Sequence, residues 1–276
     1  METAIQIFGV LGALTTVGLG IPQLVHQIKT KHTPKVNFLS FWIFYIGILI
    51  WVVFGAFDPN GLWQVFGSNL LCILIYTATI YYLYKYYPDK KKNTMALVWT
   101  GIAIIMSLCA IVSGIYIYKL ATGDKRFDIS KEASTVIGAI APALSTLAFL
   151  PQTIIALKRK SFEGVSPYMP LVFLINNAWW TTQFSLIIAS GRPDAISVIP
   201  PIIWQVISSI VYGFQFIAIQ IWRTKQKKLK ALEEAKTTIL PVEIKEEVLP
   251  ASPSMIKATF IEDSKIENSV IQNKEW

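Results

Sequence analysis

The chain has 276 residues, of which 53% are hydrophobic and only 15% charged, where a soluble domain carries about 25% charged residues. That composition excludes an ordinary water-soluble domain and points to a polytopic membrane protein. The net charge of +8 comes from short basic clusters between apolar stretches, a pattern set by membrane topology and not by a nucleic-acid partner.

Seven apolar stretches follow one another, over about 4–28, 36–57, 62–84, 95–118, 133–157, 167–190 and 195–222. Each is long enough to cross a hydrocarbon core of about 30 Å, which takes about 20 helical residues. The first begins with Glu2 and not with a basic segment, and no small-residue cleavage site follows it. It is read as a membrane helix and not as a removed leader. Near its end stands Pro22-Gln23, followed by a basic loop, and the second stretch carries Trp51. The third contains Asn69, Cys72 and Tyr76, and the fourth contains Cys109. Two cysteines inside apolar stretches offer no disulfide framework or metal-ligand spacing and read as packing residues. The fifth stretch ends in Pro151-Gln152 and another basic loop. The sixth holds Pro167, Asn176, Asn177 and Trp180, and the seventh Gln205 and Tyr212. Beyond about residue 225 the chain turns rich in Lys and Glu and is broken by Pro241, Pro250 and Pro253. It reads as a disordered tail.

An offset of 129 positions lays Pro22 on Pro151, Gln23 on Gln152, Lys29 on Lys158 and Trp51 on Trp180. An offset of 136 lays Asn69 on Gln205 and Tyr76 on Tyr212. This is an internal repeat of three helices. One helix intervenes between the units, so both have the same orientation in the membrane, as parallel repeats about an axis along its normal. The expected fold is all-α: seven transmembrane helices as two parallel three-helix bundles joined by a linker helix. The expected divisions are 1–88 for the first bundle, 89–128 for the linker with helix four, 129–224 for the second bundle and 225–276 for the tail. Alternate loops are unequal in charge. The set that follows helices one, three, five and seven holds fifteen Lys and Arg, and the other set holds five. The positive-inside rule then places the N-terminus outside and the C-terminus in the cytoplasm, with the protein in the cell membrane.

A proline inside a helix removes one backbone donor and crowds the carbonyl four residues back. For Pro22 and Pro151 those carbonyls belong to Gly18 and Leu147. The repeated pair in matching context marks a hinge at the end of each first helix, beside Gln23 and Gln152. Tryptophan offers a flat apolar face, and asparagine or glutamine offers both donors and acceptors. Trp51, Trp180, Asn69, Gln205 and the mid-helix Asn176 therefore suit a neutral, polyhydroxylated or amide-bearing solute. No Asp, Glu, Lys or Arg falls in the central part of any stretch. Buried ionisable groups are the usual mark of ion coupling, so uncoupled movement of solute is expected. No nucleophile–base pair, metal cluster or cofactor motif is visible, and no enzymatic activity, cofactor or metal is expected.

Two three-helix units, each with Pro-Gln closing its first helix, then a basic loop and a tryptophan in its second, resemble the PQ-loop repeat family, and most of all its SWEET and SemiSWEET sugar-transporter branch. The resemblance runs over about residues 5–222. It implies a central pocket between the bundles, with Trp51 and Trp180 from the second helices and Asn69 and Gln205 from the third. Gln205 stands where the family has asparagine. Pro167 lies near the proline that the family's plant members carry early in the second helix, whereas the first unit has Phe38 there. The function implied is facilitated diffusion of a small neutral solute such as a sugar, with the solute and the lipid bilayer as partners and a homo-oligomer left open. An amino acid or other small metabolite on the same scaffold, or a non-transporting receptor or assembly factor, is the alternative.

Overall fold

The computed structural model describes residues 1–33, 36–148, 150, 151, 154, 158, 162 and 168–239. Among them are seven α-helices, two short 3-10 turns and no strand. The helices are α1 (Glu2–Thr30), α2 (Phe38–Phe57), α3 (Trp63–Lys85), α4 (Thr94–Thr122), α5 (Lys131–Ala148), α6 (Tyr168–Ala189) and α7 (Ile199–Ile239). Met1–Lys227 form one compact unit, and a second unit begins at Lys228.

The ends of the helices follow local chemistry. Asn37 caps α2 by accepting from the Leu39 amide at 3.1 Å, which satisfies one of the orphan donors of the first turn. Gly123 closes α4 in the left-handed region, at φ 67°, where glycine carries no Cβ penalty. Six of the seven helices are long and apolar enough to cross a membrane, the last counted with its preceding turn as Ala195–Ala235. The exception is α5. It starts on Lys131-Glu132 and turns Ser134, Thr146 and small residues inward, while Val136, Ile140 and Leu147 face outward. Its described part is 18 residues long and includes Lys131 and Glu132 at its start, and it completes the seven-helix arrangement.

Packing displays the repeat. α3 packs on both α1 and α2, so it is the middle helix of the first unit. Between units, α1 packs on α6 and α2 packs on α5. Exchanging each helix for its repeat mate, α1 for α5 and α2 for α6, converts one contact into the other. That relation is what an axis along the membrane normal requires of parallel repeats. The linker α4 lies against α2 and α3 through Val98, Ile102, Ile105 and Cys109, spaced three and four residues apart. The Trp42 indole rests on α4 at Gly101, where a Cβ would come 2.6 Å from the ring. At its far end, Lys119 Nζ donates to the Ala56 carbonyl at 3.1 Å and pairs with Asp128.

Pro22 lies inside α1, exposed, and the helix continues past it to Thr30. Pro151 is helical and exposed. Gln152 and Pro167 lie outside the described residues. Cys72 and Cys109 are buried free thiols.

Candidate functional site

The first helix of each repeat turns a stripe of small residues inward. On α1 it is Ile5, Gly9, Gly12 and Thr16. The residues 129 positions on are Ser134, Gly138, Ala141 and Ser145 of α5. The spacing keeps them on one face of a helix and lets the second helix of the other repeat come close. At Gly12 a Cβ would stand 2.8 Å from the Trp180 ring, so the indole lies directly on the α1 backbone. Each tryptophan then finds a hydroxyl across the interface. Trp180 Nε1 donates to Thr16 Oγ1 at 2.9 Å, and Trp51 Nε1 donates to Ser145 Oγ at 3.1 Å. Both donors and both acceptors are repeat mates, so these are two copies of one bond.

Between the tryptophans lies a small, partly open cavity. Trp51, Asn69, Asn176, Trp180 and Gln205 all line it, together with Asn177, Ser208, Thr146 and Pro142. No charged side chain and no histidine is among the described residues that line it. Hydrogen bonds fix how its amides face. Asn69 Nδ2 donates to the Val65 carbonyl at 2.9 Å, which leaves its carbonyl oxygen for the cavity. Asn177 Nδ2 donates to Ser208 Oγ at 2.9 Å and to Ser209 Oγ at 3.2 Å, again leaving an acceptor. Asn176 is set the other way. Its Oδ1 accepts from Thr15 and Thr16 hydroxyls, each at 2.8 Å, so its amino group is what it can offer. The repeat mate of Asn176 is Gly47, and the cavity is therefore symmetric in its tryptophans and asymmetric in its amides.

Toward the lysine-rich ends of the helices the cavity meets an aromatic layer. Phe173 stacks on Tyr212, with centroids 4.2 Å apart and planes 13° apart. Its repeat-related counterpart is Phe44 against Tyr76 at 5.0 Å. The Tyr76 and Tyr212 hydroxyls are buried without a partner. At the opposite face a polar network joins the two repeats. Asp58, the C-cap of α2, is buried and accepts from Ser134 of α5 and from the Asn60 amide at 2.8 Å. Asn60 Nδ2 donates to the Asp194 carbonyl and to Ser197 Oγ, both at 3.0 Å. Arg192 donates to the Asn60 carbonyl at 3.0 Å and pairs with Glu2 at 2.6 Å.

Sequence reading alone did not single out Thr16, Ser145, Pro142 or Ser208. The first two were legible, because the 129-residue offset pairs them as it pairs the tryptophans. Neither of the expected hinge prolines Pro22 and Pro151 lines the cavity, whereas Pro142, inside α5, does. The expectation that no carboxylate is buried holds for the helix interiors and fails at their ends. Asp58 is 1% exposed, because a turn carboxylate that gathers an amide, an asparagine and a serine is stable away from water.

Residues 133–188, which span α5 and α6, match the family model described as PQ loop repeat. Among solved structures the chain is similar to a eukaryotic SWEET transporter determined at 3.7 Å resolution, with a TM-score of 0.58 and 16% identity. The match covers 81% of this chain and 98% of the other. No curated protein matches the sequence.

Proposed function

The chain is a helical, multi-span membrane protein that carries a PQ-loop repeat on a SWEET-like fold, and we propose that it moves a small neutral solute across a membrane by alternating access, with a sugar as the favoured class. The observation that carries this reading is the cavity on the pseudo-two-fold axis, walled by Trp51 and Trp180 and edged by uncharged amides. Two indoles supply faces on which a sugar ring stacks. Asn69 and Asn177 accept from hydroxyls, Asn176 donates to an oxygen, and Gln205 does either. A solute with both donors and acceptors and no net charge satisfies all of them. An ion would meet no opposite charge there, and burying a charge uncompensated is costly.

The two ends of the cavity supply the gates. The face of Glu2, Asp58 and Arg192 is held shut by hydrogen bonds between the repeats, and we assign it to the outside by the charge asymmetry of the loops. The layer of Phe44, Tyr76, Phe173 and Tyr212 stands on the cytoplasmic side. Rocking one repeat against the other opens one end as it closes the other. Pro22, Pro151 and Pro142 are the proposed bending points, each freeing a carbonyl four residues back. Because no Asp, Glu, Lys, Arg or His is among the described residues that line the cavity, transport is uncoupled uniport.

The test is uptake by purified protein in liposomes over a panel of neutral sugars and neutral amino acids, with and without an imposed pH gradient or membrane potential. A sugar that equilibrates and does not accumulate supports the reading. Uphill accumulation driven by either gradient overturns uniport, and uptake confined to amino acids overturns the sugar assignment.

A further inference from the structure

Above the tryptophans, toward the face of Glu2 and Arg192, the two halves of the molecule stop being alike. Gly9 and Gly138 are repeat mates, yet they face different chemistry. Phe54 and Pro201 close on Gly138, at 3.0 and 3.2 Å from where a Cβ would stand. At Gly9 two amides converge instead, with Gln183 Nε2 at 2.3 Å and Gln64 Cδ at 3.0 Å from that position. Gln183 is the repeat mate of Phe54. Gly138 also meets the Ser197 backbone carbonyl, at 3.0 Å, so the two halves differ in their side chains: an aromatic ring and a proline on one, two amides on the other.

Gln183 is 1% exposed and its Oε1 has no hydrogen-bond partner. A buried amide oxygen left unpaired is a cost that a leucine of similar size would not carry. Outward, the polar groups continue in file. Gln64 Nε2 donates to Gln6 Oε1, which also accepts from Trp63 Nε1 at 3.1 Å. Gln6 Nε2 donates to Glu2 Oε1 at 2.9 Å, and the other oxygen of Glu2 pairs with Arg192. Inward, Trp180 stands one helical turn from Gln183 on α6, and through Thr16 its indole is linked to Asn176. Polar side chains therefore run from the outer face toward the central cavity along α1, α3 and α6.

We propose that Gln183, Gln64 and Gln6 form a second, transient station for the same neutral hydroxyl- or amide-bearing solute, on its way between the outer face and the central cavity. The proposal rests on the transport reading above. The station fills when the Glu2–Arg192 pair parts, and a solute hydroxyl then donates to Gln183 Oε1, the oxygen left without a donor in the closed state. Because the station lies on one side of the cavity, it acts on solute arriving from that side.

Two measurements test it. The first needs no transport. In a Cys72→Ser, Cys109→Ala background, Gln183→Cys is exposed to a small hydrophilic thiosulfonate in detergent, with the ion pair intact or removed by Arg192→Gln. Removing an ion pair of this kind should speed labelling about fivefold, whereas an unchanged rate overturns the path. The second measures half-saturation for entry from each face of sealed, oriented liposomes, using the sugar that the parent protein carries. Gln183→Leu should raise the outer constant relative to the inner one about threefold or more, the loss of one hydrogen bond. An unchanged ratio of the two constants overturns the station. A parent protein that moves no solute overturns the transport reading, and the station as a solute site with it, while the labelling result still decides whether the path exists.

Discussion

Replacing Thr16 by valine removes one hydroxyl and keeps the shape of the side chain. That hydroxyl accepts from Trp180 Nε1 at 2.9 Å and donates to Asn176 Oδ1 at 2.8 Å. Asn176 keeps a share of Thr15, also at 2.8 Å, whose one proton is divided with the Leu11 and Gly12 carbonyls, so part of the loss falls on Asn176 and the rest on Trp180. Its ring is only 4% exposed, and its N–H has no water to turn to. Orphaning a buried donor costs about 1–3 kcal/mol, and coupling energies for hydrogen bonds inside membrane proteins average about 0.6 and reach about 1.7 kcal/mol. A short, buried bond belongs near the top, so Thr16→Val and Trp180→Phe should couple by about 1–1.7 kcal/mol. The other repeat supplies the control. Trp51 is only partly buried, its bond to Ser145 is longer at 3.1 Å, and its N–H can turn into the wet cavity. Ser145→Ala and Trp51→Phe should couple by about 0.5 kcal/mol or less. Both cycles are read from unfolding of the parent, the four single variants and the two double variants in mixed micelles. A Thr16–Trp180 coupling no larger than the Ser145–Trp51 coupling refutes the argument that burial makes the two copies unequal.

Asn69→Ala should abolish most solute-dependent thermal stabilisation, because it removes the carbonyl that α3 presents to the cavity, while Gln205→Asn should retain binding and admit larger solutes. Gly12→Ala places a methyl 2.8 Å from the Trp180 ring and should destabilise the protein by about 1–3 kcal/mol, with the loss relieved in part by Trp180→Phe. With no acid, base or histidine lining the cavity, solute affinity should be flat between about pH 5 and 8, the range in which an unperturbed histidine changes charge. Isothermal titration across that range checks it, and a titrating step inside the range contradicts the assignment of the cavity lining.

The repeat was legible because both units keep the residues that the shared axis demands. A tryptophan on each second helix and a hydroxyl on each first helix recur at one offset, and the structure shows them bonded in two matching copies. The parallel arrangement of the units was legible from helix number alone, since one intervening helix restores the orientation. Other features were not legible because they break the repeat. Gln183 answers to Phe54, so no offset draws attention to it, and Asn176, whose mate is Gly47, stood out only as a mid-helix amide. Asp58 sat in what read as a turn, and its burial depends on Ser134, far away in sequence. α4 has no repeat mate, and only its packing shows that it belongs to α2 and α3. α5 was read as an apolar crossing helix. Its described part also carries an inner stripe, Ser134, Gly138, Ala141 and Ser145, that becomes visible only beside its mates on α1.

The central claim is that one cavity between Trp51 and Trp180 is offered to the two sides of the membrane in turn. Solute counterflow measures that property. Liposomes loaded with unlabelled sugar receive a trace of labelled sugar outside, and the label is followed over time. A single alternating site predicts a transient overshoot of label inside, faster with loaded liposomes than with empty ones, and lost in the Trp51→Ala, Trp180→Ala double variant. Label entry that is independent of internal sugar, or an overshoot that survives in the double variant, contradicts the account.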